Sequence, residues 1–143
     1  MASLLTTAGR ALLLGTPWTS GTYKAALLRP DYVPDAASGA ASGITSYEVT
    51  GTGYAPGYGN SGRKALASKT VTASTASDEV RVDAADLTWS SLDAGVVGWV
   101  AILVESGGSD ATSTLVAVLQ LPATLTDGSD FSVTWPTTGL FVL

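Results

Sequence analysis

The strongest hydrophobic signal in the chain lies between residues 96 and 121. Val96-Val97-Gly98-Trp99-Val100-Ala101-Ile102-Leu103-Val104 is apolar at odd and even positions alike. Glu105-Ser106-Gly107-Gly108-Ser109-Asp110 interrupts the run, and Leu115-Val116-Ala117-Val118-Leu119-Gln120-Leu121 resumes it. A strand with one wetted face alternates apolar and polar residues, whereas a strand covered on both faces reads as a continuous apolar run. Two β-branched-rich runs about a Gly-Gly punctuation therefore predict a central hairpin covered on both sides, which Pro122 is expected to close.

Weaker patterns flank this pair. Thr22 to Leu28 predicts a first core strand stopped by Arg29-Pro30. Residues at about 30–43, rich in Pro, Gly, Ala and Ser, predict a long loop, and Ile44 to Val49 a short alternating strand. Residues 51–62 form a Gly/Tyr-rich stretch that reads as loop. Thr70-Val71-Thr72 is strand-like, Ser77-Asp78 marks a turn, and Glu79 to Asp83 alternates with Val80 and Val82 inward. Ala84 to Trp89 suggests a corner anchored by an aromatic ring. After a turn at Leu125–Asp130, Phe131 to Trp135 is the clearest one-sided alternation, and Pro136 stops it. The first 21 residues are open to two readings. Ser3 to Leu14 is either a short helix capped by Thr6 or Thr7 and ended by Gly15 and Pro17, or a flexible, extended arm. Taken together, the pattern predicts an all-β class, with a single-domain β-sandwich or small β-barrel of about six to eight strands over residues 22–143.

Composition narrows the chemistry. The 143 residues are enough for one domain with a real core. There is no cysteine and no histidine, so disulfides, thiolate metal sites and the commonest general base are all missing. Charged residues make up 13% and the net charge is −5, which argues against a nucleic-acid partner, whose phosphates need a concentrated basic patch. The basic residues are scattered; only Arg63 and Lys64 adjoin, and they read as flanking a solvated loop. No run approaches the roughly 20 apolar residues of a membrane span, and the N-terminus lacks the basic and apolar regions of a signal peptide. The expectation is a chain without a membrane partner, made in the cytoplasm. A surface so poor in charge and rich in Ala, Ser, Thr and Gly is easiest to understand if other subunits cover part of it.

Candidate chemistry fails on inspection. Gly57-Tyr58-Gly59-Asn60-Ser61-Gly62 has the Gly-x4-Gly spacing of a phosphate loop, but Arg63 stands where Lys is needed and Ala65 where Ser or Thr should follow. Asp78, Glu79, Asp83, Asp86 and Asp93 lack the spacing of a calcium loop. Asp83, Asp86 and Asp130 could serve as paired carboxylates beside aromatics, but no nucleophile–base pairing is placed by the sequence. The expectation is no enzyme, no cofactor and no metal. The C-terminal Leu140-Phe141-Val142-Leu143 reads either as an edge strand of its own sheet or as an addition to a neighbour's.

Several signatures, taken in order, resemble small structural proteins of tailed-bacteriophage virions. They are Tyr23-Lys24-Ala25-Ala26-Leu27-Leu28 with Tyr32-Val33-Pro34-Asp35, Tyr47-Glu48-Val49-Thr50-Gly51-Thr52-Gly53-Tyr54, Leu66-Ala67-Ser68-Lys69-Thr70-Val71-Thr72, Asp83-Ala84-Ala85-Asp86-Leu87-Thr88-Trp89, and Phe131 through Phe141. The Ala/Ser loop at 36–43 departs from that pattern. The resemblance implies a non-enzymatic virion component, most directly a capsid decoration or cement protein. Its implied partners are the major capsid protein and copies of itself, as a homotrimer. Leu4, Leu5, Leu12, Leu13, Leu140, Phe141, Val142 and Leu143 are then the candidate subunit and capsid contacts, and a chain cut after Gly139 is expected to fold without binding capsids. A tail or neck component is the alternative within the virion. A carbohydrate-binding β-sandwich using Tyr47, Tyr54, Tyr58 and Trp89 is the alternative of another class.

Overall fold

A computed structural model describes residues 3–15 and 17–142. Chain order is β1 (Ser3–Leu5), α1 (Thr7–Gly15), β2 (Lys24–Leu28), α2 (Ser42–Thr45), β3 (Lys64–Ala65), β4 (Thr70–Ser74), β5 (Glu79–Asp83), β6 (Leu87–Trp89), β7 (Val96–Ser106), β8 (Ser109–Leu125), β9 (Phe131–Val133) and β10 (Phe141–Val142). With 45% strand and 9% helix the chain is an all-β, sandwich-like domain, and no barrel closes. Its sheets are five-stranded (β1-β8-β7-β2-β3), three-stranded (β10-β5-β4) and two-stranded (β6-β9), and all their strand pairs are antiparallel.

The large sheet is the middle layer, and side-chain parity on its strands divides two cores. Ala25 and Leu27 of β2, Val100 and Ile102 of β7, and Val116 and Leu119 of β8 join Val82, Leu87, Trp89, Val133, Trp135 and Leu140, which the smaller sheets and their flanks supply. The opposite parity, Ala26, Leu28, Ala101, Leu103, Leu115 and Val118, packs with Tyr32, Ala41 and Ile44. The continuous apolar runs thus have their physical reason: each of these strands is buried on both faces.

The central hairpin turns through Gly107 and Gly108, with φ of 69° and 80°. Positive φ at both central residues of a two-residue loop matches strand twist, and glycine adopts it without steric cost. The ladder shifts register at three places, one of them next to the turn between Val104 and Ser106. Ile102 faces Ala117 while Leu103 faces Leu115, which leaves Val116 as an extra residue, and the pairing jumps from Val97–Thr124 to Trp99–Gln120. The irregularity between Val97 and Trp99 accommodates Pro122, which has no N–H for a ladder. Pro122 therefore does not close the strand as expected; β8 runs through it to Leu125.

Other boundaries differ as well. The first core strand begins at Lys24 rather than Thr22, and the strand from Phe131 ends at Val133. Ile44 to Val49 is not a strand: α2 occupies its start, and only Glu48 forms an isolated bridge, to Leu28. The alternation there arises because Ile44 and Val49 point into different cores from a turn, not from a pleat. The long loop before it is an ordered cover. Ala41 N–H donates to Ser113 O and Leu115 N–H to Gly39 O, both at 2.9 Å, while the Tyr32 ring meets Tyr47 and Trp99 edge-on. Ile44 is the plug of this cover, fully buried over Leu28, Leu103 and Leu115. Ile44→Ala is expected to cost about 2–4 kcal/mol, as for other buried aliphatic truncations. Hydrogen exchange should show the loss concentrated in residues 30–47; uniform loss or none would contradict the role given to this cover.

Candidate functional site

Thr6 docks the N-terminal segment. Its hydroxyl donates to Leu115 O at 2.6 Å and accepts from Gly9 N–H at 2.8 Å, and its own N–H donates to Val116 O at 2.9 Å. The bond from Gly9 is an N-cap, satisfying a first-turn donor of α1 that has no partner within the helix. The bonds from Thr6 land on the bulge of β8, so the extra residue there becomes the anchor of the N-terminus. Gly9 lies against the same carbonyl, and a Cβ at this position would sit 2.3 Å from Val116 O. Only glycine permits this approach. Of the two readings of residues 1–21, the described part is a short edge strand followed by a helix capped by Thr6.

β1, α1 and β10 thereby surround an open groove of about 600 Å³ lined by Ser3, Leu4, Leu5, Arg10, Leu13, Leu14, Phe141 and Val142. The fold thus gathers Leu4, Leu5, Leu13, Phe141 and Val142 from the candidate contacts. Leu12 does not line the groove; like Leu5 and Leu13 it packs against the first core. Leu140 is also a core residue, 2% exposed, and its N–H bonds to Val82 O; it offers no surface to a partner because its side chain is spent within its own chain. Leu143 lies outside the described residues. β10 pairs with β5 through Phe141–Val82 and Val142–Arg81, and Trp18 contacts the Phe141 ring edge-on, so the tail is an edge strand of its own sheet. Sequence reading missed Arg10 and Leu14 as groove residues. Their spacing with Leu13, at i, i+3 and i+4, places them on one helical face and was the available signal.

A second concentration of functional groups is buried. Arg63 does not flank a solvated loop; its side chain is fully covered. Its Nε donates to Glu48 Oε1 at 3.1 Å, its Nη2 also bonds Glu48, and Nη1 donates to Asp110 Oδ1 at 2.7 Å. Tyr54 Oη donates to Glu48 Oε2 at 2.8 Å and accepts from Leu27 N–H, while Thr45 Oγ1 donates to Asp110 Oδ2 at 2.7 Å. Glu105 pairs with Lys24 and accepts from Gly59 N–H. Burial, then Glu48 nearby, pushes the Tyr54 hydroxyl well above its ordinary range. Burial alone would raise the Asp110 carboxyl, but hydrogen bonds from Arg63 and Thr45 outweigh it and hold the group below the usual value. Every carboxylate here is matched, so the arrangement fixes the Gly/Tyr-rich loop to the sheet.

The remaining candidates are also engaged within the fold. Asp86 Oδ1 accepts from Trp135 N–H and Asp83 Oδ1 from Ala84 N–H, both at 2.9 Å, and Asp130 Oδ1 accepts from Ser91 N–H at 3.0 Å. Among the described residues no three acidic side chains are grouped so as to hold a metal ion. Tyr54 and Trp89 are 2% and 1% exposed and cannot stack on a sugar, and Tyr47 packs against Tyr32 and Arg29. No helix among the described residues is long and apolar enough to cross a membrane.

Arg63→Met is expected to strand Glu48 without a counter-charge and to cost about 3–5 kcal/mol, whereas Arg63→Met with Glu48→Gln should recover much of that loss. Chemical denaturation of both variants distinguishes this from simple overpacking, which the double change would not relieve. The depressed Asp110 carboxyl fixes the sign of the acid response. Its contribution to stability is present above the unfolded value of about 3.9 and is lost as pH falls through the lower folded value. Melting temperature should therefore fall below about pH 4, less steeply for Asp110→Asn. Thr6→Val is expected to cost about 1–2 kcal/mol through loss of the cap, with proteolysis beginning in residues 3–15.

Compared with protein-family models, with curated proteins and with solved structures, the chain finds no match in any of the three.

Proposed function

We propose that the chain is a non-enzymatic structural protein of a tailed-bacteriophage virion, and within the virion a decoration protein that binds the assembled capsid shell and stabilises it. The ordered signatures between Tyr23 and Phe141 support the virion reading. The observation that carries the binding role is the apolar groove in which both ends of the described chain meet, with Leu14 at 92% and Val142 at 45% exposure beside it. Exposed aliphatic side chains grouped on a rigid surface are the usual mark of a contact with another macromolecule. The matched state of the buried ionic groups and the structural use of Asp83, Asp86 and Asp130 favour a scaffold over a catalyst.

A protein that binds only the assembled lattice adds its binding free energy to the stability of that lattice. Each contact can be weak, because symmetry repeats it over the particle. Immunogold electron microscopy of purified virions tests the reading: gold is expected over the heads, and shells depleted of the chain should release their contents at a lower temperature than replete ones. Gold confined to the tail or neck replaces the capsid reading with the tail alternative, and absence from the particle removes both. Truncation after Gly139 is unsuitable as a test, because it takes Leu140 and Phe141 out of the core and confounds binding with folding.

A further inference from the structure

Large exposed aliphatic side chains form a second patch, away from the terminal groove. Val96 and Leu125 are cross-strand neighbours at the far end of the central hairpin, 38% and 69% exposed. The outer edge of β8 is covered as far as Leu119: Gly39 to Ala41 bond residues 113–115, Thr6 bonds Leu115 and Val116, and β1 pairs with Ala117 to Leu119. Beyond it, the same edge from Gln120 to Leu125 has no pairing strand among the described residues. The tip is held firmly, because the buried Thr126 hydroxyl accepts from Ala94 N–H at 2.8 Å and donates to Gly95 O at 2.7 Å. Next to it stands the exposed Asp127, whose carboxylate accepts from Ser129 N–H and Oγ–H. Those bonds hold it ionised, below the ordinary carboxylate range. The patch is therefore an aliphatic knob with a fixed negative charge beside it.

The groove has the complementary form. Its aliphatic walls carry one charged side chain, Arg10. Every other basic residue is engaged within the fold: Lys24 with Glu105, Arg29 with Asp31, Arg63 with Glu48 and Asp110, Arg81 with Glu79, and Lys64 and Lys69 over the rings of Trp89 and Tyr23. Among the described residues the Arg10 side chain alone has no hydrogen bond, ion pair or aromatic ring against it. In a chain of net charge −5 with so few cations, an unpaired arginine at the mouth of an apolar groove is the distinctive feature of that surface. Knob and groove are separate in one molecule: on β7, Val96 lies four residues beyond Val100, which faces Leu119, the partner of Ser3, and four strand residues span about 13 Å.

We infer that the Val96–Leu125 knob of one copy, with Asp127, seats in the groove of a second copy, with Leu14 and Val142 receiving the aliphatic side chains and Arg10 facing the carboxylate. Such a contact joins two different surfaces, so it is head-to-tail, and copies linked this way close into a ring or propagate. The inference does not rest on the capsid reading; it concerns the chain alone and is tested without capsids.

Sedimentation equilibrium of the full chain over a range of concentrations is the experiment, with circular dichroism melts of every variant as a control for folding. The wild type should associate reversibly. Leu14→Asp and Leu125→Asp should each weaken association by more than about tenfold at unchanged melting temperature. Arg10→Glu and Asp127→Arg should each weaken it by about fivefold, and the two reversals combined in one chain should restore it. Mixing Leu14→Asp with Leu125→Asp gives the decisive readout. One copy keeps an intact knob and the other an intact groove, so the mixture should form dimers and nothing larger, while either variant alone stays monomeric. A wild type that is monomeric throughout overturns the inference. So does an assembly insensitive to these changes, or one that Leu14→Asp disrupts and Leu125→Asp does not.

Discussion

The large sheet is apolar on both faces, and the rest of the molecule follows from that constraint. A sheet whose strands bury both parities cannot stand at the surface, because either bare face would expose a continuous hydrophobic area. One face is closed by the smaller sheets, whose Val82, Leu87, Val133 and Leu140 reach inward. The other has no strand to cover it, and the segment of residues 30–47 does the work with Tyr32, Ala41 and Ile44. A stretch of Pro, Gly, Ala and Ser becomes ordered here because the surface beneath it demands a lid, and small residues let the backbone lie close to it.

Covering loops need fastening, and the buried ionic cluster fastens them. Arg63 reaches Glu48, Asp110 and Glu105 at once, so one guanidinium links the end of the lid, the Gly/Tyr-rich loop and both strands of the central hairpin. Burying such charges costs several kcal/mol per ion, and the arrangement is tolerable because no buried side-chain nitrogen or oxygen among the described residues lacks a hydrogen-bond partner. What this cluster contributes is a single arrangement of loops that carry few apolar side chains of their own. A planar five-donor fork suits that task, and a lysine would not replace it.

The edges of the large sheet show how the fold controls association. Along β8 the outer edge is occupied in turn by residues 39–41, by Thr6 and by β1, and then left open from Gln120 to Leu125. An open edge ending in exposed aliphatic residues is a liability unless it has a purpose. β1, the edge strand of the large sheet beside β8, and β10, the edge strand of the three-stranded sheet, are too brief to template a long strand. The same economy that limits aggregation leaves two defined apolar patches, with Arg10 beside one and Asp127 beside the other.

The sequence by itself determined the class of the protein and the identity of its central hairpin. Both signals are local: unbroken apolar runs report burial on two faces, and Gly107-Gly108 reports a turn that needs positive φ. It also placed the alternating strand at Phe131, because Val133 turns to the core while Ser132 bonds Thr88 across the outer face. What the tertiary structure decided was everything that depends on a distant partner. Thr6 looked like one of two possible caps, and only the bulge at Val116 made it an anchor. Arg63 looked solvated beside Lys64, and only the convergence of Glu48 and Asp110, 15 and 47 residues away, made its burial possible. Ile44 to Val49 alternated like a strand, but only Glu48 bridges Leu28 and α2 with the turn after it takes the place of the rest. Leu140 and Phe141 could have served a neighbour until the free edge of β5 supplied a place for them within the chain. Local pattern sets which residues must be buried, while the ladder bonds, counter-charges and covered faces that bury them come from segments far along the chain.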